Sequence, residues 1–208
     1  MKICFPPNLF NYDWYSIMQS YQQYVTKKAT VLEIGASTPS HTKELARYCK
    51  RVIGVELMPE RVPKNSDNIT YKLEDWQYLT RVVHHNSIDV AFSTHVIEHI
   101  PNDLKAINEL YEVLKPRGIA LINTPNRERL VRVIIELFTG KRTFPYWEHQ
   151  REYTEKDLIA LLKKSKFEKY TIIPVVFGLH GVPIFIYFEK VPKIFRRYAN
   201  FWEIHLFK

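Results

Sequence analysis

Cysteine is scarce in this 208-residue chain: Cys4 and Cys49 are the only two. That is too few for a disulfide framework and points to a reducing cytoplasm, with both thiols inert rather than nucleophilic. No apolar run approaches the ~20 residues needed to cross a bilayer. The opening stretch, MKICFPPNLFNYDW, lacks the apolar core and small-residue cleavage site of a signal peptide. Internal repeats, low-complexity tracts and interdomain linkers are also missing, so a single domain is expected over residues 1–208. Hydrophobic residues at 46% and charged residues at 25% leave the composition of an ordinary globular protein.

Excess charge of either sign is missing from the first half. Residues 1–104 hold 11 Lys+Arg and 11 Asp+Glu, whereas residues 105–208 hold 19 and 11, so the net +8 lies wholly in the second half. This favours an anionic partner there: a charged small substrate, lipid headgroups or nucleic acid. The chain is organised around residues 86–126. Residues 88–92 are a short apolar run with Asp89 near its start. Pro101 is placed to open a helix, because it lacks an N–H that would be unpaired there. Leu104, Ile107, Leu110, Tyr111 and Leu114 then recur at helical spacing. Lys115-Pro116-Arg117-Gly118 should stop that helix, and residues 119–122 form a second apolar run. Two buried-type runs joined by an amphipathic helix make a βαβ unit with parallel strands.

Asp89 in its strand, Glu98-His99-Ile100-Pro101 after it, then LYEVLKPRG and NTPN resemble the central part of class I S-adenosylmethionine (SAM)-dependent methyltransferases. The closest subset is the one containing the ubiquinone-biosynthesis O-methyltransferases, and the resemblance covers about residues 30–173. It implies an α/β fold: a Rossmann-like doubly wound sheet of seven strands, mostly parallel, with an antiparallel C-terminal edge hairpin. The expected parts are an N-terminal helix or lid (1–28), a SAM-binding core (30–126) and a substrate-side insertion (127–153). A C-terminal helix and strand hairpin (154–190) and an amphipathic tail (191–208) follow.

Residues 30–35 read as a strand running into Gly35, with a helix over residues 41–50. Strand, tight turn and helix present backbone N–H groups at the carboxyl edge of a doubly wound sheet. In the resembled family this turn reads acid-x-Gly-x-Gly-x-Gly and cradles the methionine part of SAM. Glu33 and Gly35 match it and Ala36 follows, while Ser37 and Pro39 replace the second and third glycines. Residues 51–57 form the next strand. Glu56 near its end, followed by Leu57, has the position of an acid that accepts from a ribose diol. Residues 69–73 are a third strand. By resemblance Asp75 would accept from the adenine amino group and Trp76 would lie against the ring, unless Trp76 is a core residue of a helix over 76–83. Ser93, Thr94 and His95 should line the cofactor pocket. His84 and His85 are expected at the surface.

His95, Glu98 and His99 spell H-x-x-E-H, the inverted zinc-protease spacing, but Pro101 and the preceding strand leave no room for the long helix that motif needs. Members of the resembled subset hold a divalent cation with acid-x-x-Glu-His here. Glu98 and His99 match, and His95 in place of the first acid would favour a softer metal such as zinc. The competing reading gives Glu98 and His99 a structural role. Residues 127–140 form an amphipathic helix, and residues 141–153 a loop whose Phe144, Tyr146, Trp147, His149 and Arg151 could wall a substrate site. Thr154 with Asp157 forms a capping box for another helix. Strands are expected at 167–177 and 184–190. The tail's Phe195, Tyr198, Phe201, Trp202, Leu206 and Phe207, with Lys193, Arg196 and Arg197, would either pack on the domain or lie on an anionic membrane surface.

The function expected is methyl transfer from SAM to a small-molecule or lipid-like acceptor at oxygen, with His95 or His149 as base or a metal at Glu98/His99 as activator. Two alternatives stay open. A non-catalytic binding or scaffold protein is suggested by Ser37 and Pro39, and an RNA methyltransferase by the basic second half.

Overall fold

The computed structural model describes residues 12–141, 148–178 and 191–208. Among these residues seven strands form one sheet: β1 (Thr30–Ile34), β2 (Arg51–Glu56), β3 (Ile69–Leu73), β4 (Ile88–Thr94), β5 (Leu114–Pro125), β6 (Lys169–Val175) and β7 (Phe201–Phe207). Their order is β3-β2-β1-β4-β5-β7-β6. The first five are parallel neighbours, and β7 pairs antiparallel with both β5 and β6. The order reverses between β1 and β4, where doubly wound sheets bind ligands at their carboxyl edge.

Both faces of the sheet are covered, so its central strands carry nearly unbroken apolar runs. One face packs Val31, Val90, Phe92 and Leu121 against α1 (Tyr12–Tyr24) and α2 (Pro39–Ala46) through Ile17, Tyr21 and Leu45. The other packs Leu32, Ile34, Ala91 and Ile122 against α3 (Asp103–Val113) and α5 (Glu155–Leu162). The helix α4 (Leu130–Thr139) buries only Arg132, and Leu137 and Phe138 on it face outward.

Several boundaries differ from the sequence reading, each for a local reason. Pro101 does not open α3. Asn102 is the N-cap, its side chain accepting from the Lys105 N–H at 3.0 Å. Leu114 is already extended, so β5 absorbs the expected Lys115–Gly118 stop, with a register irregularity opposite Ile88 and Val90. Asn126 Oδ1 accepts from the Glu128 N–H at 2.9 Å, a side-chain turn that delays α4 to Leu130. Gly140, left-handed at φ 62°, ends it. Pro39 is the first residue of α2, which ends at Ala46 instead of residue 50. The segment expected as a helix over 76–83 is a 3-10 turn, Trp76–Arg81, broken by Tyr78. The Thr154–Asp157 capping box is present.

The antiparallel partner of β6 is β7, drawn from the stretch read as a tail, while residues 184–190 lie outside the described residues. Trp202 and Leu206 are fully buried, so the expectation that this stretch could lie on a membrane surface is corrected for β7. Among the described residues no helix is long and apolar enough to cross a membrane.

Candidate active site

At the carboxyl edge of β1 the chain turns through Gly35 at φ 79°. A Cβ there would overlap Cγ2 of Val96, which covers the turn from the β4 side. The N–H groups of Gly35 and Ala36 both donate to the Val55 carbonyl, at 2.9 and 3.2 Å, and tie the turn to β2. Gly54 on β2 lets Ala36 and Tyr71 close in, a contact the sequence reading missed. Pro39 occupies the helix position where a missing N–H is harmless. Ser37 is exposed beside it. Beneath the turn Glu33 is buried, which pushes its carboxyl up to about 8, and its Oε2 has no hydrogen-bond partner among the described residues. An acid held in this way is neutral over much of the ordinary pH range.

The ends of β2 and β3 form a second group. Glu56 Oε1 accepts from the N–H groups of Leu57 and Met58, at 3.0 and 3.1 Å, which curls the carboxylate over its own turn. Asp75 caps the following 3-10 turn and accepts from the Gln77 backbone and side chain, at 2.8 and 2.9 Å. Leu57 (56% exposed), Leu73 (49%) and Met58 (40%) flank these acids. Large apolar side chains open to solvent at one sheet edge offer a flat ring a surface to cover. The sequence reading found Leu57 but missed Met58 and Leu73. It also needs one correction. Trp76 is 2% exposed and packs with Leu79 and Ile107 in the core, so its ring does not wall a cleft.

At the end of β4, Ser93 is buried with its hydroxyl unpartnered among the described residues. Thr94 pairs in register with Asn123 of β5, and His95 follows in a left-handed conformation at φ 53°. A non-glycine residue there costs about 1–3 kcal/mol, and such strain concentrates at functional sites. The strained backbone is held by a hydrogen bond from the His95 N–H to the Asn123 carbonyl, 3.0 Å. His95 Nδ1 lies 3.4 Å from Oε1 of Glu98, and Phe201 packs edge-on against the imidazole at 5.4 Å. Glu98 is fully buried, its Oε2 accepting from Thr124 Oγ1 at 3.0 Å.

His99 and His149 also converge on Glu98. One donor atom of each of the three lies within 4.8 Å of the others. His99 Nδ1 is 2.9 Å from the Glu148 carbonyl, and His149 Nδ1 donates to Glu152 Oε1 at 2.9 Å. Arg129 and Arg132 bind the same buried Glu152. Burial works to raise that carboxyl, but the two guanidinium groups outweigh it and hold the group low. The trio anticipated for a metal is therefore regrouped: Glu98 and His99 meet His149, and His95 sits on Glu98 outside that cluster. Of the expected aromatic wall, Phe144, Tyr146 and Trp147 lie outside the described residues. Arg151 is spent tying this loop to the start of α3, donating to the carbonyls of Ile100 and Pro101 at 2.8 and 2.7 Å and pairing with Asp103 at 3.1 Å.

The helix α1 is fastened beside these groups by polar contacts that the sequence reading did not foresee. Glu203 of β7, buried, accepts from Ser16 at 3.1 Å and from Ser20, and meets His205 at 2.6 Å. Trp14 stacks on His41 of α2 at 3.8 Å and donates to Glu44 at 2.9 Å. The clue lay in the tail, where Glu203 and His205 alternate with Trp202, Ile204 and Leu206.

A family model described as a methyltransferase domain matches residues 12–172. A probable S-adenosylmethionine-dependent methyltransferase of Mycolicibacterium smegmatis is 33% identical over 92 residues, 44% of this chain and 33% of that protein. The ubiquinone biosynthesis O-methyltransferase of Actinobacillus pleuropneumoniae is 26% identical over 120 residues, half of each chain. The chain thus spans about a third to a half of the length of these curated relatives. Among solved structures, a SAM-dependent methyltransferase of Thermotoga maritima superposes with a TM-score of 0.65 at 17% identity, covering 96% of this chain and 91% of that one. One from Archaeoglobus fulgidus gives 0.66 at 15%, covering 98% and 96%. At such identities the likeness bears on the fold.

Proposed function

Since this chain belongs to the methyltransferase-domain family, we propose that it moves a methyl group from SAM to a small-molecule or lipid-like acceptor, at oxygen. The observation that carries this reading is the convergence at one sheet edge of the Gly35 turn, Glu56 and the open apolar group of Leu57, Met58 and Leu73. Residues 30–126 would hold the cofactor and residues 127–153 the acceptor. The Gly35 turn would hold the cofactor's amino-acid end, Glu56 would accept from the ribose hydroxyls, and Asp75 with the three apolar side chains would receive the base. Bound SAM supplies an activated methyl on a sulfonium. The residues supply alignment, and a hydroxyl acceptor must also lose its proton. His95 would take that proton at Nε2, with Glu98 holding the ring from the Nδ1 side. The likeness to a ubiquinone O-methyltransferase supports an oxygen acceptor.

The histidine cluster favours a second reading of the same step. Glu98, His99 and His149 suit a zinc-type ion, because two imidazoles and one carboxylate are its usual donors. Both imidazoles have Nδ1 against an oxygen, as metal-bound histidines do. Such an ion would supply Lewis acidity toward the acceptor oxygen.

Calorimetric titration with SAM and S-adenosylhomocysteine, with EDTA and with added zinc, tests both. Micromolar binding that Glu56→Ala abolishes supports the enzyme reading. Absence of heat from a folded sample under every condition would hand the protein to the scaffold alternative. His95→Gln should leave SAM affinity within a few-fold while methyl transfer falls about 10²- to 10⁴-fold, the usual share of a general base. If transfer instead depends on zinc and survives His95→Gln, the metal reading replaces the base. Salt-sensitive RNA binding that depends on the SAM edge would revive the RNA methyltransferase alternative.

A further inference from the structure

The amino edge of the sheet carries a second constellation that methyl transfer does not use. A cleft of about 400 Å³ lies where β5 begins, β6 begins and β7 ends, lined by Tyr111, Arg117, Lys166, Glu168, Lys169, Phe207 and Lys208. Four of these seven side chains are cationic and one is acidic. From Arg117 to Asn123 the strand β5 climbs about six residues at ~3.3 Å each, which puts the cleft about 20 Å from the candidate active site.

The cations are unevenly committed. Lys166 is paired with Glu112. Lys208 Nζ donates to Asn86 Oδ1 at 2.9 Å and to the Tyr111 carbonyl at 2.7 Å, and lies 4.4 Å from the centre of the Tyr111 ring. Burial, reinforced by Lys166 and opposed by Glu112, pushes its ammonium below the usual lysine range. Among the described residues the Lys169 ammonium has only the face of Phe207, 5.2 Å away. No hydrogen bond or ion pair engages the Arg117 guanidinium among the described residues. Arg117 also sits at φ 68°, a left-handed conformation that suits glycine, and its neighbour is Gly118. Its N–H is pinned to the Lys208 carbonyl at 2.9 Å, and the Lys208 N–H to the Gly118 carbonyl at 3.0 Å, so the turn is rigidly fixed to the end of β7. A strained backbone thus presents a five-donor guanidinium beside three further cations, one of them paired with Glu112, and two rings, with too little acid in the cleft to satisfy them.

We propose that this cleft is a binding site for a small phosphate-bearing molecule. Guanidinium and ammonium donors are the groups that recognise phosphate oxygens. The cleft is open to solvent on one side, its volume is that of a small-ligand site, and Tyr111 and Phe207 give it apolar walls. The site is separate from the methyl-transfer edge, and its presence does not depend on which acceptor is used there.

Titration of the full chain with inorganic pyrophosphate tests it, alongside Arg117→Gly and Lys169→Ala. Pyrophosphate should bind the parent protein with a sub-millimolar Kd and raise its Tm, as any ligand of the native state does. Each substitution should weaken binding at least tenfold. Arg117→Gly should keep or raise the Tm measured without pyrophosphate, because glycine relieves the left-handed strain, so lost binding cannot be charged to misfolding. SAM affinity should be the same in all three proteins. A parallel titration with a 12-nucleotide oligouridylate separates the sources of phosphate. If only the oligonucleotide binds, with a salt dependence that each substitution lowers by about one charge, the surface is a nucleic-acid track and the small-ligand proposal is overturned. It is equally overturned if pyrophosphate gives no heat, or binds all three proteins alike.

Discussion

Any side chain at position 35 meets two obstacles, the left-handed backbone and Cγ2 of Val96. Gly35→Ala should therefore cost about 1–3 kcal/mol by urea unfolding and abolish SAM binding. Adding Val96→Ala should recover part of the stability, because it removes the overlap while leaving the strained backbone. Unchanged stability in the single variant would refute the geometry. Glu33, beneath the same turn, sets a pH dependence. Its native carboxyl titrates at about 8 because it is buried, against 4.5 for an unburied carboxyl, so the native state holds the proton more tightly than the unfolded chain. The stability this group contributes is complete below pH ~4.5 and is lost as pH rises through about 8, with a slope of at most ~1.4 kcal/mol per pH unit. Glu33→Gln should remove that slope. Urea unfolding of both proteins at pH 5, 6.5 and 8 should show the variant gaining on the parent as pH rises, and parallel curves would contradict the burial.

At the level of elements, α1 is held by chemistry as well as packing. Glu203→Ala removes the acceptor shared by Ser16, Ser20 and His205 and should cost about 1–3 kcal/mol. Hydrogen exchange should then show residues 12–24 losing protection ahead of the sheet. Uniform loss across the chain would mean that α1 is not separately latched. Asn102→Ala should cost about 1 kcal/mol through the lost cap of α3, whereas Pro101→Ala should cost less, since Pro101 lies outside the helix. The sequence showed the strands at residues 30–34, 51–56, 69–73 and 88–94 nearly to their ends, because each is a short stretch rich in β-branched or aromatic residues closed by turn residues. Gly35 and Glu56 stand where the sequence reading put them, at the carboxyl ends of β1 and β2. The meeting of His149 with Glu98 and His99 was not legible, because about 50 residues separate them and only the folded loop at 148–153 joins them. Trp76 misled because an aromatic next to an acid reads alike in a core and in a cleft.

The seventh strand decides how the whole molecule holds together. In the sequence, Phe195, Tyr198, Phe201 and Trp202 fall at near-helical spacing and conceal the two-residue alternation of Trp202, Ile204 and Leu206 with Glu203 and His205. That alternation is what a strand between two covered faces requires: the apolar set joins the core beside α5, and the polar pair meets α1. Because β7 lies between β5 and β6, it closes the ladder on both sides, from Ile119↔Phe207 to Pro125↔Phe201 and from Lys169↔Phe207 to Val175↔Phe201. Removing it would strip β6 from the sheet, expose the apolar edge of β5 and free α1 from Glu203. A surface-lying tail would have none of these consequences. Deletion of residues 199–208 should therefore abolish the cooperative urea transition and leave an aggregating or dye-binding species. Substituting Ile194, 79% exposed just before β7, with Ser should leave the Tm within about 1–2 °C of the parent. A truncated chain that still unfolds cooperatively would mean that the sheet closes without β7.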